Sequence, residues 1–244
     1  MFWDPRFYLQ VCMAAASLFA IRRYAVYLRA ELAARERGKP SREMPKPLQV
    51  LLGVSIVYFW YVMPFLPQPL LGDFSAAAPD LLPHTTVRWV QWGMGLSLGM
   101  AGTVLYVRLT RANLAVTAQD YCRPAELLTD GPYSKIRHPI VATRFVAVAG
   151  VVLFTGAAYT AMLLPVLALE LALSAHIEEK EVLIPVFRKE YRAYQGKVPG
   201  FLCGPMWLAL LILALGLALS AVGTFPTEAL SQSGFLQRSE GAPF

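Results

Sequence analysis

The feature that most constrains this chain is a series of apolar blocks, several of which approach the roughly 20 residues that a helix needs to cross a bilayer. Hydrophobic residues make up 56% of the 244 residues and charged residues only 16%, whereas a soluble domain carries about 25% charged residues. The sequence therefore predicts an integral membrane protein with an all-α fold, a polytopic transmembrane helical bundle of about six apolar segments that include a short helical hairpin. The net charge of +6 is too modest to favour nucleic-acid binding.

The blocks divide the chain into three parts. Residues 1–107 are predicted to form N-terminal transmembrane helices, residues 108–200 a functional core, and residues 201–244 one further transmembrane helix with a tail. Asp4 and Pro5 precede the first block without a basic leader, so a cleaved signal peptide is not expected. The apolar blocks run approximately over Phe7–Leu28, Leu48–Leu66, Val87–Val107, Ile140–Thr155, Ala158–Ser174 and Pro205–Val222.

The charges of the connectors predict the orientation of the bundle. The connector 22–47 holds eight Lys and Arg against three Glu, and the connector 67–86 holds no Lys or Arg. The positive-inside rule places the first in the cytoplasm and the second outside. The basic side chains either remain solvated or contact anionic membrane lipids. The polar stretch 108–139 follows on the cytoplasmic side, and a connection of this length is usually functional. Nothing in the sequence indicates an oligomeric state.

Two further patterns argue against other classes of site. The spacing Gly93-x-Gly95 near Gly99 can indicate a dinucleotide-binding loop, but that loop needs a preceding strand. Inside an apolar helix, Gly95 and Gly99 instead predict a face for close helix packing. The three cysteines have no metal-ligand spacing, so neither a metal site nor a structural disulfide is expected. They are Cys12, Cys122 and Cys203.

A polar run at residues 131–139 separates two apolar regions and ends where a helix should begin. Its glycine–proline and histidine–proline pairs mark breaks in regular structure. Pro139 is tolerated in a first helical turn because its missing N–H would have no intrahelical partner there. Arg137 and His138 should therefore stand at the mouth of a helix that enters an apolar environment. They form either a solvated basic collar at the membrane surface or a site for an anion or a cofactor.

A tight helical hairpin is predicted over residues 140–174, with its turn at Gly156. Its only two charged residues, Arg144 and Glu170, each stand 13 residues from Ala157, taken as the centre of the turn, and should face each other. Lone charges at such depth are unfavourable, so pairing is expected. The pair is either a structural bridge or, through Arg144, part of a substrate or cofactor site.

The same hairpin geometry brings Arg137 and His138 toward a second polar cluster. Residues 176–195 have the pattern of an amphipathic helix at the membrane surface, with Pro185 as the expected position of a bend. A solvated charged face is one interpretation of this helix, but two carboxylates opposite an Arg–His pair favour a site. The second cluster consists of His176, Glu178 and Glu179.

Three motifs of the core carry a resemblance to a known family. They are Gly131-x-Tyr133-xxx-Arg137-His138-Pro139, the pair Glu178-Glu179 after the hairpin, and Phe187-xxx-Tyr191-xx-Tyr194-xxx-Val198-Pro199. In order and spacing, these motifs resemble the isoprenylcysteine carboxyl methyltransferase and phospholipid methyltransferase superfamily of integral membrane enzymes. The resemblance covers approximately residues 100–200.

The resemblance implies an S-adenosylmethionine-dependent methyltransferase whose cofactor lies in a cytoplasm-facing cavity under the C-terminal helix. The acceptor is a lipid or a small apolar molecule that offers a carboxylate, an amine or a thiol. Arg137, His138 and the helix N-terminus at Pro139 suit the carboxylate of the cofactor, and Glu178 or Glu179 suits its ammonium. Aromatic rings suit the adenine or the sulfonium. The candidate rings are Tyr133, Tyr191 and Tyr194.

Catalytic roles are expected for Arg137, His138 and Glu179. A carboxylate acceptor needs no general base, whereas an amine or thiol acceptor would need one, and His138 or Glu179 could serve. Methyl transfer is an in-line displacement that depends mostly on positioning. The expected substrate-binding residues are Arg144, Val141 and Glu170.

The chain departs from the family pattern at three points. Val141 stands where the family usually has Tyr, and Arg188 stands where it usually has Gly. The spacing from the glutamate pair to Phe187 is one residue longer, so either Glu178 or Glu179 takes the family role. These departures affect the identity of the substrate more than that of the cofactor.

Two alternatives belong to other functional classes. Some membrane sterol reductases, which use NADPH, have a similar C-terminal half, but their longer multi-helix body has no counterpart in this sequence. A non-catalytic membrane scaffold or transporter is the other alternative. No inverted repeat is evident, which argues against a transporter.

Overall fold

A computed structural model describes residues 4–38, 44–71, 84–117 and 124–200, together with Leu210, Leu211 and Ala214. Within these residues every regular element is helical, as the sequence predicts, and a lone bridge between Leu70 and Ala157 is the extent of β-pairing. Most of the predicted sixth segment, the C-terminal tail and two of the three cysteines lie outside the described residues.

The described helices follow one another with few interruptions. π-Helical turns at Gly53–Tyr58 and Glu179–Leu183 each join the helices on either side into one continuous run. A short 3-10 turn lies at Gly131–Ser134. The helices are α1 (Pro5–Glu36), α2 (Lys46–Leu52), α3 (Phe59–Val62), α4 (His84–Thr117), α5 (Pro139–Thr155), α6 (Ala158–Glu178) and α7 (Ile184–Lys197).

Three helical runs among the described residues are long and apolar enough to cross a membrane. They cover Pro5–Glu36, Lys46–Phe65 and Ala158–Lys197. Helix α5 is also apolar, but its 17 residues are fewer than a full crossing needs. The membrane character expected from composition is thus supported by the folded helices, and the number of six segments stays a prediction.

The predicted helical hairpin is confirmed. Helix α5 ends at Thr155, and Gly156 takes the left-handed conformation (φ +69°) that closes a helix without steric penalty. Helix α6 starts two residues later, at Ala158, and returns along α5. The buried core lies between this hairpin, α1 and α3. Its main side chains are Phe145, Val148, Val152, Leu164, Leu167, Leu171 and Trp60.

Helix α4 approaches α5 closely through glycines, as the Gly95 and Gly99 spacing predicts. A Cβ at Gly102 would lie 2.5 Å from the backbone nitrogen of Ala147, and a Cβ at Gly95 would collide with the backbone of Phe154. Gly150 of α5 faces Gly99 in the same contact. The small residues let the two backbones touch, and α5 is thereby held with its other face toward α6.

The C-terminal helix is amphipathic as predicted, but the expected bend at Pro185 is wrong. Pro185 follows the π-helical turn Glu179–Leu183 after one intervening residue, and the backbone stays helical through it. The backbone leaves the helical region at Arg188 instead, with φ 45° and ψ −108°. In the family that the sequence motifs resemble, this position is usually a glycine, the residue that adopts positive φ freely.

Candidate active site

The polar run at residues 131–139 forms a turn and then the start of α5. Gly131 has φ +58°, the 3-10 turn ends at Ser134, and His138 is the residue that precedes the first helical residue, Pro139. The helix therefore begins where the histidine–proline pair predicts. The backbone N–H of Arg137 donates to the carbonyl oxygens of Pro199, at 3.0 Å, and Gly200, at 2.9 Å, so the turn is fastened to the chain that follows α7.

The guanidinium of Arg137 is used mainly for contacts within the protein. Its Nε donates to Oε1 of Glu179 at 2.8 Å, and its Nη1 donates to the carbonyl oxygens of Val198, at 2.8 Å, and Gln195, at 3.3 Å. The ion pair spans 42 residues of sequence. Arg137 thus joins the turn before α5, the turn after α6 and the end of α7.

His138 lies between the two glutamates and is only 5% exposed. Its Nε2 is 2.8 Å from Oε1 of Glu179, and its Nδ1 is 3.5 Å from Oε2 of Glu178. Burial lowers the pKa of His138, but the two carboxylates outweigh burial and raise the pKa to about 9. His138 is therefore an imidazolium cation at neutral pH.

The two adjacent glutamates have different surroundings. Glu179 receives Arg137 and His138 on one oxygen, and the Nε2 of Gln195 donates to the other oxygen at 2.9 Å. Glu178 is the last residue of α6, its side chain is 33% exposed, and it lines the main cavity. Of this pair, Glu179 is consequently occupied by protein donors, and Glu178 faces the cavity, which Glu126 also lines.

The three predicted tyrosines come together at the same place. The hydroxyl of Tyr194 donates to the backbone carbonyl of Tyr133 at 2.6 Å, and the rings of Tyr191 and Tyr194 have centroids 5.9 Å apart. All three line the cavity. Burial raises the pKa of Tyr133, with Glu178 as the next contribution, so this phenol stays neutral in the ordinary pH range.

A cavity of about 450 Å³ collects most of the predicted site residues. Two of them, Glu170 and Glu179, lie outside its wall, and His176 is exposed elsewhere on α6. The predicted residues that line it are Tyr133, Arg137, His138, Pro139, Val141, Arg144, Glu178, Tyr191 and Tyr194.

Some residues of the site were not predicted from the sequence. Three of them line the cavity: Tyr24 of α1, Asn113 of α4, and Met44, which lies before α2. The fourth, Gln195 of α7, donates a hydrogen bond to Glu179. Gln195 directly follows Tyr194, which is predicted from the sequence. Its position on the same amphipathic helix is the sequence signal that could have found it. For the other three residues no sequence signal existed, since they reach the cavity only through the packing of distant segments.

The predicted pairing inside the hairpin is present but long. Nη2 of Arg144 lies 3.5 Å from Oε1 of Glu170, and both side chains are buried. Glu170 also accepts hydrogen bonds of 2.6 Å from the hydroxyl of Ser17 and from the indole N–H of Trp60. Glu170 thus connects α6 with α1 and α3, while Arg144 reaches the cavity wall.

Residues 89–190 match the family model of phospholipid methyltransferase. The matched segment begins in α4, contains the polar run, the hairpin and both glutamates, and ends in α7. The resemblance predicted from the motifs is therefore confirmed, and the match supports a membrane methyltransferase. No curated protein and no solved structure matches the chain.

Proposed function

We propose that this chain, whose residues 89–190 match the phospholipid methyltransferase family, is an integral membrane methyltransferase that uses S-adenosylmethionine. Its acceptor is a lipid or a small apolar molecule with a carboxylate, an amine or a thiol. The observation that carries the proposal is that Tyr133, His138 and Glu178, all inside the matched segment, line one cavity.

The residues of the cavity suit the chemical groups of the cofactor. A volume of about 450 Å³ lies within the range of roughly 300–1,000 Å³ that small-molecule sites occupy. Glu178 suits the ammonium group, and the His138 cation at the N-terminus of α5 suits the carboxylate. Tyrosine rings suit the adenine and the sulfonium. Arg137 and Glu179 hold His138 and the end of α7 in place.

S-adenosylmethionine supplies an electrophilic methyl group on a positively charged sulfur. The residues of this chain contribute binding, orientation and exclusion of water, which supply most of the acceleration in a displacement reaction. His138 already holds a proton between two carboxylates, and this state suits anion binding better than proton abstraction. A carboxylate acceptor needs no base. An amine or thiol acceptor would need a base, and Glu179, which the sequence suggests for that role, lies outside the cavity wall and is held by Arg137, His138 and Gln195.

In this proposal the cavity faces the cytoplasm. The basic connector 22–47 is expected on that side, and Tyr24 and Met44 from this connector line the cavity. Labelling of a single cysteine introduced at Arg37, in a chain freed of its three native cysteines, tests the orientation in intact cells. Labelling of this cysteine from outside the cell by a membrane-impermeant maleimide would show the opposite orientation.

Calorimetric titration of the purified protein with S-adenosylmethionine and with NADPH tests the cofactor. Binding of S-adenosylmethionine is expected. A well-folded protein that binds NADPH instead would favour the reductase alternative, and a protein that binds neither would favour a non-catalytic role. Transfer of a labelled methyl group into a native lipid extract would then identify the acceptor.

Two substitutions test the site residues directly. Arg137→Ala and His138→Ala should abolish methyl transfer while the protein still folds, since each removes a cation from the group around Glu179. Lys135→Ala removes an exposed cation from the same run and should leave transfer unchanged. Wild-type turnover in Arg137→Ala and His138→Ala would exclude both residues from the mechanism.

A further inference from the structure

Arg144 is a buried cation whose hydrogen-bonding capacity is largely unused. The residue is 7% exposed and lines the cavity. Within the described residues, its guanidinium makes a single hydrogen bond, from Nη2 to Glu170 at 3.5 Å, and its Nε has no hydrogen-bond partner. A guanidinium carries five N–H donors in a planar fork. A buried cation with so few partners is unfavourable unless a ligand supplies them.

Glu170 does not fill this role, because its carboxylate is held by other helices. Ser17 and Trp60 both donate to Oε2 at 2.6 Å, and Oε1, the oxygen nearer Arg144, remains at 3.5 Å. Glu170 is completely buried and lies outside the cavity wall. Arg144 therefore has a distant counter-charge on one side and a cavity on the other.

The position of Arg144 separates it from the proposed cofactor groups. It follows His138 by six residues, and a rise of 1.5 Å per residue places it roughly 9 Å further along α5. Val141, three residues earlier on the same face, also lines the cavity. Apolar side chains contribute to the same wall, among them Ile21, Leu52 and Val182. A ligand in this part of the cavity therefore meets a cation and an apolar wall.

We infer that Arg144 binds an anionic oxygen group, a carboxylate or a phosphate, on the apolar acceptor and so selects for acceptors that carry one. Both groups match the planar guanidinium fork. A neutral acceptor would leave the cation desolvated without a partner, which penalises its binding. The role as acceptor rests on the proposed methyltransferase function, whereas the anion site itself does not.

The binding experiment uses the full chain in dodecyl maltoside micelles, without S-adenosylmethionine. The probes are hexadecanoate, hexadecyl phosphate and hexadecanol, which share one alkyl chain and differ in the charge of the head group. Isothermal titration is expected to show that at least one anionic probe binds more tightly than hexadecanol. Arg144→Gln should weaken that binding by about 10- to 100-fold, the usual worth of a hydrogen bond to a charged group, and should leave hexadecanol unchanged.

Two further variants keep the test informative if Arg144→Gln folds poorly. Arg144→Lys retains the charge without the fork, so its affinity for the anionic probe should fall between those of wild type and Arg144→Gln. Glu170→Gln removes the counter-charge of Arg144 and preserves the side-chain shape, so it should bind the anionic probe more tightly than wild type. Equal affinities for all three probes in wild type, or an anionic affinity unchanged in all three variants, would overturn the inference.

The cofactor is titrated separately, so that the two proposals can fail separately. Arg144→Gln should bind S-adenosylmethionine as wild type does. A loss of cofactor affinity in this variant would assign Arg144 to the cofactor and overturn the inference. Binding of an anionic probe by a protein that does not bind S-adenosylmethionine would contradict the methyltransferase proposal and leave the anion site standing. Comparison of the affinities for hexadecanoate and hexadecyl phosphate indicates whether the anionic group of the acceptor is a carboxylate or a phosphate.

Discussion

The hairpin of α5 and α6 carries two sets of opposite charges, and the two sets are built differently. At its open end, Arg137 and His138 both lie 2.8 Å from Glu179, and Gln195 completes the hydrogen bonds of that carboxylate. Deeper in the hairpin, Arg144 and Glu170 are 3.5 Å apart. In the first set, most of the charged groups have hydrogen-bond partners within the protein. In the second set, only the carboxylate of Glu170 has several such partners.

This difference in hydrogen bonding distinguishes residues that position the segments of the site from residues that are free to bind a ligand. Glu179 and Arg137 fix the segments around the cavity and leave Glu178 facing it. Glu170 is fixed by α1 and α3, and Arg144 is left with unused donors at the cavity wall. In each set one carboxylate supports the structure, and a neighbouring charge faces the cavity.

Removal of the deep carboxylate should have the largest effect. Glu170→Ala leaves Arg144 as a buried cation without a counter-charge and deprives Trp60 of its acceptor, whereas Ser17 keeps the carbonyl oxygen of Ala14. Breaking a buried pair in this way lowers the free energy of unfolding by about 3–5 kcal/mol. Thermal unfolding in detergent measures the change. Glu170→Gln keeps an acceptor for both donors and should lose clearly less, and a Glu170→Ala protein as stable as Glu170→Gln would contradict the prediction.

The contribution of His138, at the open end of the hairpin, to the stability of the protein should depend on pH. The pKa of His138 is raised from 6.5 to about 9 in the folded protein, so the stabilisation by its charge is complete below pH 6.5 and is lost as the pH rises through about 9. A shift of this size corresponds to about 3 kcal/mol. As the pH rises from 6.5 to 9, the unfolding midpoint of wild type should therefore decrease relative to that of His138→Gln. Parallel pH profiles of the two proteins would contradict the prediction.

Gln195 tests how far Glu179 depends on α7. Gln195→Ala removes the 2.9 Å hydrogen bond to Oε2 of Glu179 and should lower the free energy of unfolding by about 1.5 kcal/mol, as is usual for a bond to a charged group. Lys197→Ala, an exposed change at the same end of α7, should stay within about 0.5 kcal/mol of wild type. Equal unfolding midpoints for the two variants would show that Arg137 and His138 hold Glu179 without help from α7.

The smallest effect is expected at the kink of α7, and it has the opposite sign. Arg188 has φ 45°, which disfavours a residue with a Cβ, so Arg188→Gly should raise the free energy of unfolding by about 1 kcal/mol. Arg192→Gly, on the exposed and helical part of α7, should lower it by about 1 kcal/mol. Denaturation of both variants measures the difference. A destabilised Arg188→Gly would mean that the side chain of Arg188 contributes more than its backbone strain removes.

Most of the helical architecture could be predicted because its signals are local. Pro139 begins α5, Gly156 ends it, and the Gly95–Gly99 spacing marks the face that α4 presents to α5. The facing of Arg144 and Glu170 followed from their equal distance from one turn. The predicted bend at Pro185 is wrong, because the backbone stays helical at this proline and the break lies at Arg188.

The sequence by itself determined the membrane character, the hairpin and the place of Arg137, His138, Glu178 and Glu179 at its open end, since apolar length, Pro and Gly act within a few residues. Only the tertiary structure decided the division of labour among them. Glu178 and Glu179 are neighbours in sequence, and what separates their roles is contact with Arg137 and Gln195, which lie 42 and 16 residues away. The same holds for Arg144, whose unused donors follow from Ser17 and Trp60 drawing Glu170 toward α1 and α3.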